Sequence, residues 1–271
     1  MIIETKCYGK TIFFDDVKHR FFHEDGSSIK SVTTFSGIPD KPYLLPWAVD
    51  TAMEHLEGLA KGRRKITIKD LDYAASLPFQ KKTEAADLGT KIHEQISKYI
   101  KKEPIDIDLL MSQDEKVAQG FLSFLEWEKK EKPIWLDSEK IVYSNKYNYA
   151  GIFDATAKIG GKRILVDFKS SNAIYDEYAL QTGGYQQADE EMNGEKYDGR
   201  LVLRFSKLDE VQYYAVENAK LERKKRRGKN YEIKPYKLFE EKYYWENDKD
   251  IEAFNSAMIL GRRLDELKKN G

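Results

Sequence analysis

"GIFDATAKIGGKRILVDFKS", residues 151–170, is the stretch whose reading decides the fold. Two β-prone runs flank Gly160-Gly161, a pair that supplies the backbone angles of a tight two-residue turn, so residues 149–159 and 162–169 read as an antiparallel hairpin. That hairpin brings Asp154 and Asp167 towards one edge of a sheet. Lys169, two residues beyond Asp167, shares its face of the strand, while Phe168 points to the other side. Charges at half-buried strand ends are costly unless something pairs with them or uses them.

Outward from the hairpin, "IWLDSEKIVYS" (134–144) reads as a third strand and "DEYALQTGGYQQADEEMNG" (176–194) as a helix. Strands are then expected in "GRLVLRFSK" (199–207) and "DEVQYYAVE" (209–217), followed by a basic loop and a closing amphipathic helix over 248–270. Towards the N-terminus, residues 2–35 alternate short β-prone runs with Gly, Asp and Ser, as hairpins do. Four helices are expected next. The first starts at Trp47 and stops at Gly62, a short one covers 67–77, a long one runs from Pro78 to before Pro104, and the fourth ends before Pro133. The order helix, three strands, helix, strand predicts an α/β (α+β) class with a mixed central β-sheet flanked by helices. Without repeats or low-complexity tracts, residues 1–271 are expected to form one domain. It comprises an N-terminal hairpin and helical extension (1–80), a core (81–215), and a basic loop with a C-terminal helix (216–271).

Composition narrows the chemistry. Lysine plus arginine equals aspartate plus glutamate, 46 of each in 271 residues, so nucleic-acid binding would have to come from local clustering of charge. The single cysteine, Cys7, excludes a disulfide framework, a zinc ribbon or a four-thiolate iron–sulfur cluster within one chain. No phosphate-cradling Gly-x-x-x-x-Gly-Lys-Ser/Thr loop is present, so no nucleotide cofactor is expected. No apolar run approaches the ~20 residues of a spanning helix, and a soluble protein without a membrane partner is expected.

The chemistry left is that of oxygen and nitrogen ligands. Two neighbouring carboxylates repel, and one takes up a proton unless a cation sits between them; oxygen ligands with open positions suit Mg²⁺ or Mn²⁺. An ammonium at Lys169 is placed to hold a water and to stabilise charge on a phosphate oxygen. Asp-x-Lys alone is short and common, and its ordinary reading is a solvated cluster at a strand end. Its flanks add to it. "GTKIHEQI" puts His93 on a helix, and "QTGGY" puts Gln181 and Tyr185 four apart on one helical face. Gly183-Gly184 inside that helix costs about 1 kcal/mol per glycine relative to alanine, which fits close approach of a backbone or ligand.

In order, "GTKIHEQI", "GIFD", "VDFK" and "QTGGY" resemble the successive signatures of RecB-like and phage-type exonucleases in the PD-(D/E)xK, or restriction-endonuclease-like, superfamily. The resemblance covers residues 89 to about 205. It implies His93, Asp154, Asp167 and the main-chain carbonyl of Phe168 as ligands of one or two Mg²⁺ or Mn²⁺ ions, with Lys169 positioning water. It also implies that Gln181 and Tyr185 orient the lysine or the DNA backbone, and that Glu139, in "SEKIVY", is an accessory acid. The implied activity is metal-dependent hydrolysis of DNA phosphodiesters without a covalent enzyme intermediate, chiefly as an exonuclease in recombination, repair or replication. A cytoplasmic setting, in a bacterium or phage-infected host cell, and a helicase or recombination-protein partner complete the expectation.

DNA contacts are expected at the two densest basic runs, "KLERKKRRGKN" (Lys224, Lys225, Arg226, Arg227, Lys229) and "KGRRK" (Arg63, Arg64). No helix-turn-helix or zinc finger is evident, which argues against base-specific reading. The competing readings are a catalytically inactive DNA-binding subunit of the same fold, a structure-selective endonuclease, a hydrolase of small phosphoesters and a structural protein.

Overall fold

The computed structural model describes residues 1–269. In chain order its elements are β1 (Ile2–Cys7), β2 (Lys10–Asp15), β3 (Arg20–His23), β4 (Ser28–Ser31), α1 (Val32–Ser36), α2 (Leu44–Lys61), α3 (Ile68–Ile100), α4 (Ile107–Gln113) and α5 (Glu115–Glu131). There follow β5 (Ile134–Ser144), β6 (Tyr149–Ile159), β7 (Lys162–Lys169), α6 (Glu177–Asn193), β8 (Gly199–Phe205), α7 (Glu210–Arg226), β9 (Phe239–Tyr244) and α8 (Asn247–Lys269). The described strands form one mixed sheet flanked by helices, as the sequence predicts.

The expected hairpin is present. Gly160 (φ 58°) and Gly161 (φ 80°) make the turn, and the β6–β7 ladder runs from Ile159↔Lys162 to Ala155↔Val166. From Tyr149 to Lys158, save at Asp154, β6 also pairs antiparallel with β5. Its other edge changes partner: β4 lies parallel to it at Tyr149 and Ala150, and β7 takes over only at Ala155. Residues 151–154 therefore have a free edge, opened by the ladder itself. The pleat also breaks there. Phe153 packs with the α1/α6/α8 cluster, whereas Ala155 packs on the α3/α5 side, and across the ladder Glu139 takes a left-handed conformation (φ 53°).

Two clusters sandwich the central strands, and a third, with Ile12, Phe14, Phe21 and Tyr143, serves the N-terminal strands. Ile92, Ile96, Phe121, Phe124 and Trp127 of α3 and α5 cover Val166, Phe168, Leu201 and Leu203 on one face. Val32, Phe35, Tyr185, Ala188, Phe254 and Met258 of α1, α6 and α8 cover Val142, Tyr149 and Leu165 on the other. β7 and β8 run parallel, with Lys169 opposite Arg204.

Four expectations are corrected. The helices expected either side of Pro78 are one, α3, launched by a Thr67–Asp70 capping box; the boundary between residues 80 and 81 falls inside it. Pro78 removes one helical donor, and α2 packs alongside the turn before it through His55 and Tyr73 (ring centroids 4.9 Å apart). Residues 210–217 are helix, because Asp209 and Gln212 form a capping box that commits the segment to α7. The basic run expected as a loop is the end of that helix up to Arg226, leaving residues 227–238 as the loop. The aromatic stretch after it supplies an edge strand, β9, paired antiparallel with β8.

Candidate active site

The free edge of β6 is where the polar residues gather. Asp154, at the last position before the β7 ladder starts, accepts the Phe168 amide on Oδ2 at 2.6 Å, replacing a ladder bond with a carboxylate. In a strand a residue's N–H and C=O share an edge, so the Phe168 carbonyl faces the same gap. The second oxygen, Oδ1, meets His93 Nδ1 at 3.0 Å. α3 delivers His93, next in the chain to the buried Ile92, against the buried Phe168, whose ring it meets edge-on at 6.1 Å. Asp167 is only 2% exposed, and its Oδ2 lies 2.5 Å from Lys169 Nζ. That ammonium is the partner of Oδ2, and it belongs to the same strand two residues on.

α6 closes the site from the other side. Gln181 Nε2 donates to Tyr185 Oη at 3.0 Å and lies 3.4 Å from Asp167 Oδ1. The Tyr185 ring rests on Gly151, where an added Cβ would lie 2.5 Å from Cε1. Gly183 and Gly184 serve packing: a Cβ on the first would meet the Asp250 backbone, and on the second the Phe254 ring at 2.7 Å, both on α8. One contributor went unforeseen. Tyr178, one turn before Gln181, places its ring 4.8 Å from Lys169 Nζ, and its position three before Gln181 on the helix was the available signal.

The charges set one another. Burial pushes the Asp167 carboxyl up, Lys169 opposes this and Asp154 adds to it, leaving the group at about 6. Burial also acts against the charge on Asp154, but His93, Lys169 and the Phe168 amide hold it below the ordinary aspartate value. Burial works against charge on His93 and Lys169 as well; Asp154 for the first and Asp167 for the second outweigh it, and both stay above their usual values. The two carboxylates thus separate into one firmly ionised and one poised to protonate.

The residues suit a hard divalent cation: two buried or half-buried carboxylates, an imidazole and a nearby carbonyl. Among the described residues no three His, Cys, Asp or Glu side chains gather at ligand spacing, since Lys169 engages Asp167 and His93 engages Asp154.

Other candidates lie elsewhere. Glu139 faces outward and pairs with Lys101 at 2.7 Å. Lys224 pairs with Asp50, and Arg227 with Asp50 (2.6 Å) and Glu57 (2.7 Å), all on α2; Lys225 meets Glu222 at 3.3 Å. Arg64 pairs with Asp70 at 3.0 Å, while Arg63, Arg226 and Lys229 are not held in ion pairs among the described residues. No described helix is long and apolar enough to cross a membrane.

No protein-family model matches the chain, and no curated protein matches it. Among solved structures, an alkaline exonuclease from Laribacter hongkongensis aligns over 89% of this chain and 92% of its own, at 9% identity and a TM-score of 0.35. A likeness that distant decides neither fold nor activity.

Proposed function

We propose that the chain is a divalent-metal-dependent DNA nuclease. The observation that carries this reading is the juxtaposition, at the free edge of β6, of Asp154, Asp167 and Lys169, with one carboxylate ionised and the other raised to about 6. Asp154, Asp167, His93 and the Phe168 carbonyl would hold Mg²⁺ or Mn²⁺, which when bound supplies an acidified water and neutralises phosphate charge. Lys169 places its ammonium against the phosphate oxygen on which charge grows. Gln181 fixes the free oxygen of Asp167 and is itself held by Tyr185, while the Tyr178 ring limits where the ammonium can swing. No serine or cysteine nucleophile lies in this set, in keeping with direct attack by water.

Within this reading the chain is an exonuclease acting in recombination, repair or replication, because nothing in the sequence reads bases. The test is a cleavage time course with Mn²⁺, and in parallel with Mg²⁺, on end-labelled linear DNA, single-stranded and duplex, beside closed circles. Degradation of linear strands alone supports the exonuclease, and the order of label release gives polarity. Cutting of circles makes it an endonuclease. Intact DNA throughout, with binding retained, makes it an inactive binder.

A further inference from the structure

The segment that leads from β7 into α6 carries tyrosines the mechanism leaves largely unused. Lys169 Nζ lies 4.8 Å from the Tyr178 ring, and the Tyr175 ring stands edge-on to Tyr178 at 5.7 Å. The Tyr43 ring, just before α2, then lies flat against Tyr175 at 4.4 Å, with an interplanar angle of 11°. None of the three rings belongs to the clusters that bury the faces of the sheet. Tyr43 and Tyr175 are half-buried, so part of this stacked pair stays open to solvent.

The pair is also held in place. Tyr43 Oη donates to Glu177 Oε1 at 2.7 Å, Lys41 meets the same oxygen at 3.1 Å, and Tyr178 N donates to the Tyr175 carbonyl at 3.2 Å. On the β7 side, Ser171 Oγ donates to the Ala173 carbonyl at 2.7 Å. Lys41 is thereby taken by Glu177, and what the pair offers outward is ring surface rather than charge. Aromatic stacking inside a protein serves its core; a pinned stack kept at the surface, beside the lysine of a phosphate site, has the form of a platform for a flat apolar group. The two steps from the ammonium, 4.8 and 5.7 Å, are comparable with the reach from a phosphate across its sugar to its base.

We propose that the Tyr43–Tyr175 pair is a stacking platform for an unpaired base of the strand whose phosphate is held at Asp154, Asp167 and Lys169, which makes frayed or single-stranded DNA the preferred substrate. The inference rests on the nuclease reading for that phosphate, but its test needs no turnover. Binding is measured in EDTA, and again with Ca²⁺, across a salt series for the wild type, Tyr175→Leu and Tyr175→Phe. The probes are labelled single strands, abasic strands of the same length and blunt duplex. Tyr175→Leu is expected to bind the base-bearing single strand about 10-fold more weakly. The slope of log K against log salt stays unchanged, because no phosphate contact is lost. On abasic strands, and on blunt duplex, whose bases are already stacked, Tyr175→Leu binds as the wild type does. Tyr175→Phe, which keeps the ring, matches the wild type on every probe. Unaltered affinity of Tyr175→Leu for the base-bearing strand overturns the platform, as does an equal loss on all three probes, which would trace to loosening of the α6 side. A wild type that binds no single strand overturns it as well. Base-dependent binding by a wild type that leaves DNA intact under Mn²⁺ or Mg²⁺ would instead overturn the nuclease reading and leave the platform standing.

Discussion

Asp167 is the residue at which the site works against the fold. Its carboxyl titrates at about 6 in the folded chain against 3.8 ordinarily, so folding favours the protonated form and the metal-free protein loses stability as pH rises through 6. His93 acts in the same direction, because a folded value above 6.5 gives stability below that pH that disappears as pH rises through the folded value. For Asp167 alone the loss by neutral pH is on the order of 3 kcal/mol. The melting temperature of metal-free protein is therefore expected to fall between pH 5 and 7.5, and Mn²⁺ to restore more of it at pH 7.5 than at pH 5. A flat profile with no metal effect would remove Asp167 as a ligand. Lys169→Ala should slow cleavage at least about 10²-fold, with DNA affinity within about twofold, because its charge is assigned to the transition state; unaltered turnover would take the lysine out of the mechanism. The pairs Asp167–Lys169 and Gln181–Tyr185 were legible because spacing along a strand or helix fixes which side chains share a face; that His93 and Asp154 join them was implied only by the resemblance of the ordered motifs.

At the scale of elements, α7 is an electrostatic clasp on α2. Arg223, Lys224 and Arg227 lie on Glu54, Asp50 and Glu57, spaced along one face of α2, whose only buried residue is Thr51. The Lys224 ammonium holds the Asp50 carboxyl below its ordinary 3.8, so this contribution is complete above that pH and is lost as pH falls through the lower folded value. Arg227→Gln is expected to lower stability by about 1 kcal/mol in dilute buffer, and by less in 1 M salt. If equilibrium urea unfolding showed the same loss at both ionic strengths, the bond would be packing and not charge. The clasp explains why residues 209–226 misled a local reading. "VQYYAV" is rich in β-prone valine and tyrosine, and only the capping box together with the α2 acids selects the helix. β9 escaped for a related reason: an edge strand reading Phe-Glu-Glu-Lys-Tyr-Tyr lacks the alternation that marks a half-buried strand.

Across the whole molecule, the site exists because β6 hands one edge from β4 to β7. The mixed sheet was foreseeable from the order of elements; the handover was not, since β4 lies more than a hundred residues upstream and contributes only two paired residues. Gly151 sits in the gap, and Tyr185 fills the space over it, so the opening in the sheet and the position of Gln181 are mechanically linked. Gly151→Ala would set a Cβ 2.5 Å from the Tyr185 ring and 3.0 Å from Val32, both buried, at a cost of about 1–3 kcal/mol. Gly184→Ala provides the matched comparison, because it overpacks the same cluster against the Phe254 ring of α8. Both substitutions are expected to lower the melting temperature by similar amounts. Only Gly151→Ala is expected to lower kcat, with KM little changed, because only there is the overpacking relieved by moving the tyrosine that holds Gln181. If the two variants lose activity equally, the loss follows general loosening of the α6 side, and the gap in β6 has no particular hold on the chemistry.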